Sequence, residues 1–506
     1  VLLKILNQRN ACVDASLMRR YEVLYRGGAD FQKCIKWFLS RNHSDNDQMY
    51  AERVKVASYR SYVGPIVDYY CAQLFAAPYN IRAVDEKGEP LAKVDEFYSQ
   101  FREDCDGLGS DLTSFIKATF LEAVVKKTAY IVAQMPSTEG MDAMTRREYL
   151  ERGLDRCTVR TIPSESILDW EVDPVTGDYQ WLVAYSTRSR RPSIAAATVC
   201  EHTWTVYEPT TCKVYQRAYA ANQQPKPEDD IPLVEEYPHG FSRVPVLPLT
   251  VPDGLWILNR CASAQVEHFQ LSAALGWLLR RSAYPMGIFN VQEVGKSAIT
   301  GAGMGHYLGL EEKFHWEEPE GKSAAILQAE IEKQKDEIYR VSAQMAMSVN
   351  NSAAGLGRSG LSKMADASAT EICLRGYSVV VKDALEKLYE MVSDARGDYD
   401  VKWAVEGLNQ FSLLDATTLI ENAKLAQDLG IPSDTFKKEL YFRVAEALMP
   451  SDLAQSVKDA IREEIMSADV EPPSVKPAVV VGAEVDEEPD PRTSEEPTSD
   501  SEEEPQ

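Results

Sequence analysis

Residues 348–363, SVNNSAAGLGRSGLSK, break a long helical pattern in two, and this interruption constrains the fold more than any other stretch. Ahead of it, 323–347 carries Leu327, Ile331, Ile338, Val341 and Met345 at helical spacing, with Glu330, Glu332, Asp336 and Glu337 largely off that stripe. Behind it, 364–396 repeats Ala369, Cys373, Tyr377, Val380, Ala384, Leu388, Met391 and Ala395 in steps of three and four. A connector between packed helices needs only about 2–8 residues. One about twice that length, built from glycine, serine and asparagine, is either slack or a working part.

The rest of the chain alternates in kind, and the reading is a mainly helical α+β fold. Apolar residues Tyr59, Tyr62, Val63, Ile66, Val67, Tyr70 and Leu74 form a helical stripe, interrupted at Gly64-Pro65, which predicts two helices meeting at a kink with Pro65 in a first turn. A second helix is predicted near 111–134, capped by Asp111 and turning into a strand at its end. The middle changes period: RCTVRTIP, SILDWEVD, YQWLVAYST, HTWTVYEP and CKVYQRAYA are short runs rich in Val, Thr, Tyr and Trp, separated by turns such as 173–178. They predict an antiparallel β region, closed by HGFSRVPVLPL. Residues 258–281 are helical with two apolar faces. A mixed segment follows, with strands expected near 287–292, 305–310 and 312–317. The last helical module, 412–466, has stop and start signals at 430–434 and 449–452.

Composition narrows the function classes. The chain has 506 residues, enough for roughly three domains of about 150 residues. Its apolar stretches are cut by charge well short of the roughly 20 residues that cross a bilayer, and VLLKILNQRN is too short an apolar run for a signal peptide, so a cytoplasmic location is expected. The nine cysteines include no C-x-x-C pair, and several sit on apolar faces (Cys71, Cys373), so reduced, mostly buried thiols are expected rather than a metal site. Of the net charge of −24, residues 467–506 hold 13 acidic and 2 basic side chains, a net of −11, leaving −13 for the first 466. That proline-rich acidic tail is expected to be disordered. The basic clusters are short: Arg188, Arg190 and Arg191; Arg280 and Arg281; Lys126 and Lys127. A tight nucleic-acid binder needs many cations on one face.

Catalytic motifs are incomplete. The Gly-Lys-Ser triplets at 295–297 and 321–323 have Asn290 and Trp316 where a phosphate-cradling loop needs glycine. GAGMG at 301–305 opens no recognisable helix. The six histidines lack H-E-x-x-H spacing, and His268 on a helical stripe reads as a packed residue. No enzymatic activity, cofactor or metal is expected.

The order of parts, with YRSYVGPIVDYYCAQLFAAPYNI, with VPVLPL leading into the 258–281 helix, and with YLGLEEKFHWEEPEGKSAAILQAEIEKQKDEIYRVSAQM before the loop and the 364–396 helix, resembles the portal proteins of tailed double-stranded-DNA bacteriophages. The resemblance implies a wing over 1–257, a first stem helix over 258–284, a clip over 285–322, and a second stem helix over 323–347. It further implies a tunnel loop over 348–363, a bridging helix over 364–410, a helical crown over 411–466 and the tail over 467–506. It implies a homo-oligomeric ring of about twelve subunits at one capsid vertex of the virion, assembled in the host bacterial cytoplasm. Double-stranded DNA would pass through without sequence specificity. Partners would be the terminase large subunit, a head-completion adaptor, and the major capsid and scaffolding proteins, with no membrane. In such a ring Asn350, Asn351, Arg358, Ser359 and Lys363 would supply the loop's polar and charged groups near DNA. Glu330, Asp336 and Glu337 would make a phosphate-repelling channel wall. A helix spanning 258–281 is about 36 Å long, close to one turn of B-DNA at about 34–36 Å. The competing readings are another virion structural or scaffolding protein, with the tail as a docking arm, and a nucleotide-dependent enzyme acting at 295–305.

Overall fold

The apolar stripes of the first third form helices, and short acidic or amide side chains start four of them. The structure, a computed structural model, describes residues 2–43, 45–85, 91, 95–136, 148, 156–191, 193–194, 197–220, 223, 225–226, 229–282, 286–290, 313–317, 321–342, 360–398, 401–409, 411, 424, 433–449 and 455–467. Its first helices are Leu2–Leu6 (α1), Ala15–Arg26 (α2), Gly28–Cys34 (α3), Asp47–Val56 (α4), Val63–Leu74 (α5), Glu96–Glu103 (α6) and Leu112–Lys126 (α7). Asp14, Asn46, Asp95 and the expected Asp111 each accept a backbone N–H of the turn they precede, satisfying donors that a helix start leaves bare.

The Gly64-Pro65 region departs from the expected kink. Helix α4 ends at Val56 and α5 starts at Val63, so Tyr59 and Tyr62 lie in the connector. They still pack inward: Tyr59 stacks on Phe31 with ring centroids 3.8 Å apart. Pro65 sits in the first turn of α5, as expected, where its missing N–H costs nothing. Gly64 is required there because a Cβ would lie 2.8 Å from the Tyr25 carbonyl oxygen. The backbone N–H groups of Tyr62 and Val63 donate to the Gln265 Oε1 at 2.9 and 3.3 Å, and Gln265 Nε2 donates to the Arg60 carbonyl at 2.9 Å. A side chain from far along the chain therefore does what a continued helix would have done.

The strands of this part are Asn80–Val84 (β1), Thr128–Gln134 (β2), Thr158–Ile162 (β3), Ile167–Val172 (β4), Tyr179–Arg190 (β5), Val199–Tyr207 (β6), Thr211–Ala220 (β7), Leu233–Pro238 (β8) and Val246–Thr250 (β9). The expected helix-to-strand passage occurs at Lys127, whose φ of 77° turns α7 into β2. Strands β4 to β8 form a five-stranded antiparallel meander, and β2 is the centre of a three-stranded sheet ordered β3-β2-β9. Both faces of the meander's central part are covered. Leu3 and Leu6 of α1 pack against Leu168, Val183 and Trp204; Tyr130 and Val132 of β2 pack against Leu182, Ala184 and Tyr207 on the other side. The alternation of β5, with Val183 to one face and Leu182 and Ala184 to the other, makes this possible.

Next come the helix Ile257–Ser282 (α8), the strands Met286–Asn290 (β10) and Lys313–Glu317 (β11), the helices Lys322–Val341 (α9) and Gly360–Arg396 (α10), and the strand Lys402–Glu406 (β12). Strands β10 and β11 pair antiparallel from Met286↔Glu317 to Asn290↔Lys313, and β12 returns to pair with β1. Helix α10 begins at Gly360, not 364, so 360–363 of the expected loop are helical. The reason is in the sequence: Leu361 and Ala365 extend the four-residue steps through Ala369, Cys373 and Tyr377. The expected strand at 305–310, most of the 412–432 region and the tail beyond Ser467 lie outside the described residues.

The chain divides into two units, Val1–Leu413 and Leu414–Gln506. In the first, α2, α5, α7, α8 and α10 share one core holding Tyr70, Phe120, Phe269, Tyr377 and Leu388. In the second, Asp434–Leu448 (α11) and Gln455–Ser467 (α12) pack together, with the Arg462 guanidinium 5.2 Å above the Phe442 ring. The fold is α+β, helical and antiparallel.

Replacing Gln265 by alanine strands three backbone groups in part-buried surroundings. The Gln265→Ala protein is expected to lose about 3 kcal/mol, read as a lower urea midpoint at unchanged slope.

Candidate functional site

The most distinctive feature is an arm made of α8 and α9. The two helices run antiparallel: Cys261 lies 3.7 Å from the Ile338 carbonyl, while His268, further along α8, lies beside Glu332 and Lys335, earlier on α9. The β10–β11 ladder continues the pair at its far end.

Its inner half is anchored by polar bonds at apolar positions. The Tyr21 hydroxyl donates to Asn259 Oδ1 at 2.5 Å, Gln270 Nε2 donates to the Phe38 carbonyl at 2.9 Å, and the Tyr70 hydroxyl donates to the Ser342 carbonyl at 2.6 Å. Gln265 is fully buried. Toward the tip, burial fades. No described side chain of 274–280 or 322–337 is buried, and Leu279 and Ile326 are exposed. The two apolar faces read in 258–281 are thus covered at the base and only partly covered beyond it.

The charges on α9 are arranged in pairs. It carries four acidic and four basic side chains. Glu330 pairs with Lys333 at 3.3 Å, Glu332 with Lys335, and Glu337 with Arg340 at 2.5 Å through two hydrogen bonds. Each pair is spaced i,i+3, so both partners share one patch of helix surface. The Arg340 hydrogen bonds hold the Glu337 carboxyl below its usual range, and the Glu332 hydrogen bond pushes the Lys335 ammonium up. Of the three carboxylates expected in a channel wall, Glu330 and Glu337 are therefore compensated, and Asp336 is exposed between them. The helix as a whole is balanced in charge rather than acidic, because each paired glutamate is followed three residues later by a base; the Glu330 and Glu337 pairs share one side, and the Glu332–Lys335 pair lies on the side of α8, beside His268.

Among the expected loop residues, Asn350, Asn351, Arg358 and Ser359 lie outside the described residues, and Lys363 falls in the first turn of α10. Sequence reasoning missed Gln265. Its signal was an amide within an apolar stripe, between Cys261 and Phe269. Sequence reasoning reads Lys126 only as part of a short basic pair and misses its burial among Glu22, Glu122 and Glu165 at 3.6, 3.5 and 2.7 Å. Burial alone would push that ammonium down; the Glu165 hydrogen bond and the neighbouring carboxylates outweigh it. All nine cysteines are free, and burial pushes the thiols of Cys71, Cys105, Cys157 and Cys261 up to about 12. Among the described residues no cluster of three or more metal-ligating side chains occurs, and no helix is long and apolar enough to cross a membrane.

His268 is a packed residue. It is 3% exposed, with its ring edge-on to Tyr62 at 4.9 Å. Burial, aided by Arg60 and Lys335 and opposed by Glu332, holds its pKa below the ordinary 6.5. The folded protein thus keeps it neutral, whereas the unfolded chain takes up a proton below 6.5. Stability is complete above that value and falls as pH drops toward the folded pKa. His202 and His239, also lowered by burial, act in the same direction. The urea midpoint is expected to be lower at about pH 5.5 than at about pH 7.5, and the difference to shrink in His268→Gln.

No protein-family model matches the chain, and no similar sequence is found among curated proteins.

Proposed function

We propose that this chain is a portal-type subunit: about twelve copies form a ring at a capsid vertex, and double-stranded DNA passes through the bore during packaging and ejection. The observation that carries this reading is one run of elements. An anchored helix leaves the core, a two-stranded ladder forms the tip, a second helix returns, and after a Gly/Ser-rich stretch a 37-residue helix re-enters the same core. An arm of this kind suits the wall of a conduit. Helix α8, with 26 residues, is about 39 Å long, enough to line one turn of B-DNA, about 34–36 Å.

The charge pattern favours passage over binding. A lysine or arginine paired with phosphate adds affinity, and affinity slows a moving polyanion. On α9 three of the four bases are already engaged by glutamates of the same helix. The wall then neither grips the phosphates nor pays the full repulsion of a bare acidic surface. The ladder tip and the segment between its strands are the surface for the terminase motor and later the adaptor. Residues 348–363, of which 348–359 lie outside the described residues, are the candidate for the loop that reaches the axis. In this role the protein positions and conducts, and the motor supplies the chemistry.

The purified chain is expected to form closed rings of about twelve subunits, seen by mass photometry and negative-stain imaging; monomers alone at micromolar concentration in several salts would refute the reading. Deleting 352–358 is expected to leave the rings intact and to lower the DNA packaged per head, measured by nuclease-protected DNA. Unchanged packaging would remove the loop's role.

A further inference from the structure

Among the described residues the five-stranded meander has two unsatisfied edges of opposite charge. Strand β4 pairs with β5 only from Val172↔Tyr179 to Ile167↔Ala184. Beyond it, among the described residues, Tyr185 to Arg190 pair with β6 alone, and Ser186 to Arg190 are all exposed. The far half of β5 is thus a ledge. The edge of β4 itself is blocked, since the Asn10 backbone N–H and side-chain amide donate to the Leu168 and Trp170 carbonyls at 2.8 and 3.3 Å. The ledge is basic, with Arg188, Arg190 and Arg191; Arg190 is paired with Glu201 at 2.7 Å, and the other two have no ion-pair partner among the described residues.

On the opposite side, β8 is the last strand. It pairs with β7 from Thr211↔Pro238 to Tyr215↔Leu233, and among the described residues nothing bonds its outer edge. Leu233 and Val234 are 45% and 57% exposed, an unprotected edge of the kind that recruits another strand. Pro238 at its end fits an edge position. Its charges are acidic: Glu236 is 3.9 Å from Lys213, and Glu235 has no ion-pair partner among the described residues.

We infer that β8 of one copy adds to the β5 ledge of the next, so that the meanders join into one continuous sheet around the ring. This rests on the ring reading. Two different patches of one molecule make the contact, so the arrangement is head-to-tail, the kind that closes into a cycle. Strand directions agree. In the meander β8 runs opposite to β5, and a rotation that roughly preserves strand direction sets it antiparallel to the next β5. Chain length agrees as well: six residues of β8 face the ledge from 185 to 190. Across the ladder Leu233 is level with Tyr215, Trp204 and Tyr185. Docking on the ledge therefore shifts the next copy by four or five residues, roughly 15 Å along the strands. Because the incoming β8 takes the column of β4, each copy adds four strand spacings, about 19 Å, and the shift inclines the strands by roughly 38°, within the tilt of closed β-barrels.

The test uses the full chain with cysteines at two exposed sites, Arg188→Cys and Glu235→Cys, singly and together, and a short bis-maleimide. The double variant is expected to give a ladder of covalent multimers on a denaturing gel, which the single variants, controlling for the native Cys12, do not. Reversing the ledge with Arg188→Glu and Arg190→Glu is expected to raise the concentration needed for rings about tenfold, with the thermal melt unchanged. Adding Glu235→Lys and Glu236→Lys to the same chain is expected to restore assembly. Closed rings without cross-linking, and with assembly indifferent to charge reversal, overturn this inference and leave the ring standing; they would assign the two edges to strands of another protein. A wild-type chain that forms no rings overturns both.

Discussion

A single buried amide determines where the arm begins. Gln265 sits on α8 but serves the connector 60–63, accepting two backbone N–H groups and donating to one carbonyl. Apolar contact is non-directional and would tolerate α8 at several rotations against α5. Hydrogen bonds are directional, and buried ones are expensive to leave unmade. The aromatic core supplies attraction, and Gln265, with Tyr21–Asn259, Tyr70–Ser342 and the Tyr377 hydroxyl on the Leu255 carbonyl, selects one orientation. Helix α8 then has one direction in which to leave the body, and the pairing of α9 and the β10–β11 ladder follow from it.

Much of this architecture was legible in residue spacing. Asp111 as a cap, the passage from α7 into β2, the strands from RCTVRTIP to CKVYQRAYA, and the 258–281 helix all follow from local chemistry, and the structure has them. Misreadings arose where a distant residue supplied what local sequence lacked. The stripe through Tyr59 and Tyr62 reads as helical because both side chains face the core; Gln265, two hundred residues on, lets the backbone there be irregular. The spacing predicts a later start for α10 because Gly360 and Ser362 weigh toward a loop while Leu361 alone marks the stripe there. The arm's carboxylates are found from spacing, but their compensation depends on which rotamers meet the bases three residues on.

Charge is unevenly spread. The chain as a whole is −24 and its last forty residues hold −11 of that, yet α9 is neutral, acid for base. A strongly acidic protein keeps one long exposed helix balanced by local pairing. Exposed pairs of this kind contribute little to stability, so their consequence is for the field at the helix surface, which is short-ranged and mixed in sign.

Helix α10 has a mechanical consequence. It is about 55 Å long, and its described buried side chains run from Thr370 to Ser393. At its far end Trp403 donates to Ser393 Oγ at 2.7 Å, Tyr98 donates to Asp398 at 2.8 Å, and Arg396 lies 3.8 Å above the Phe97 ring while pairing with Asp95. Such a rod resists axial compression because every turn is already hydrogen-bonded. A push delivered at residue 360 would pass along the helix into the packed stretch 370–393 and be shared between the core and the junction of α6, α10 and β12.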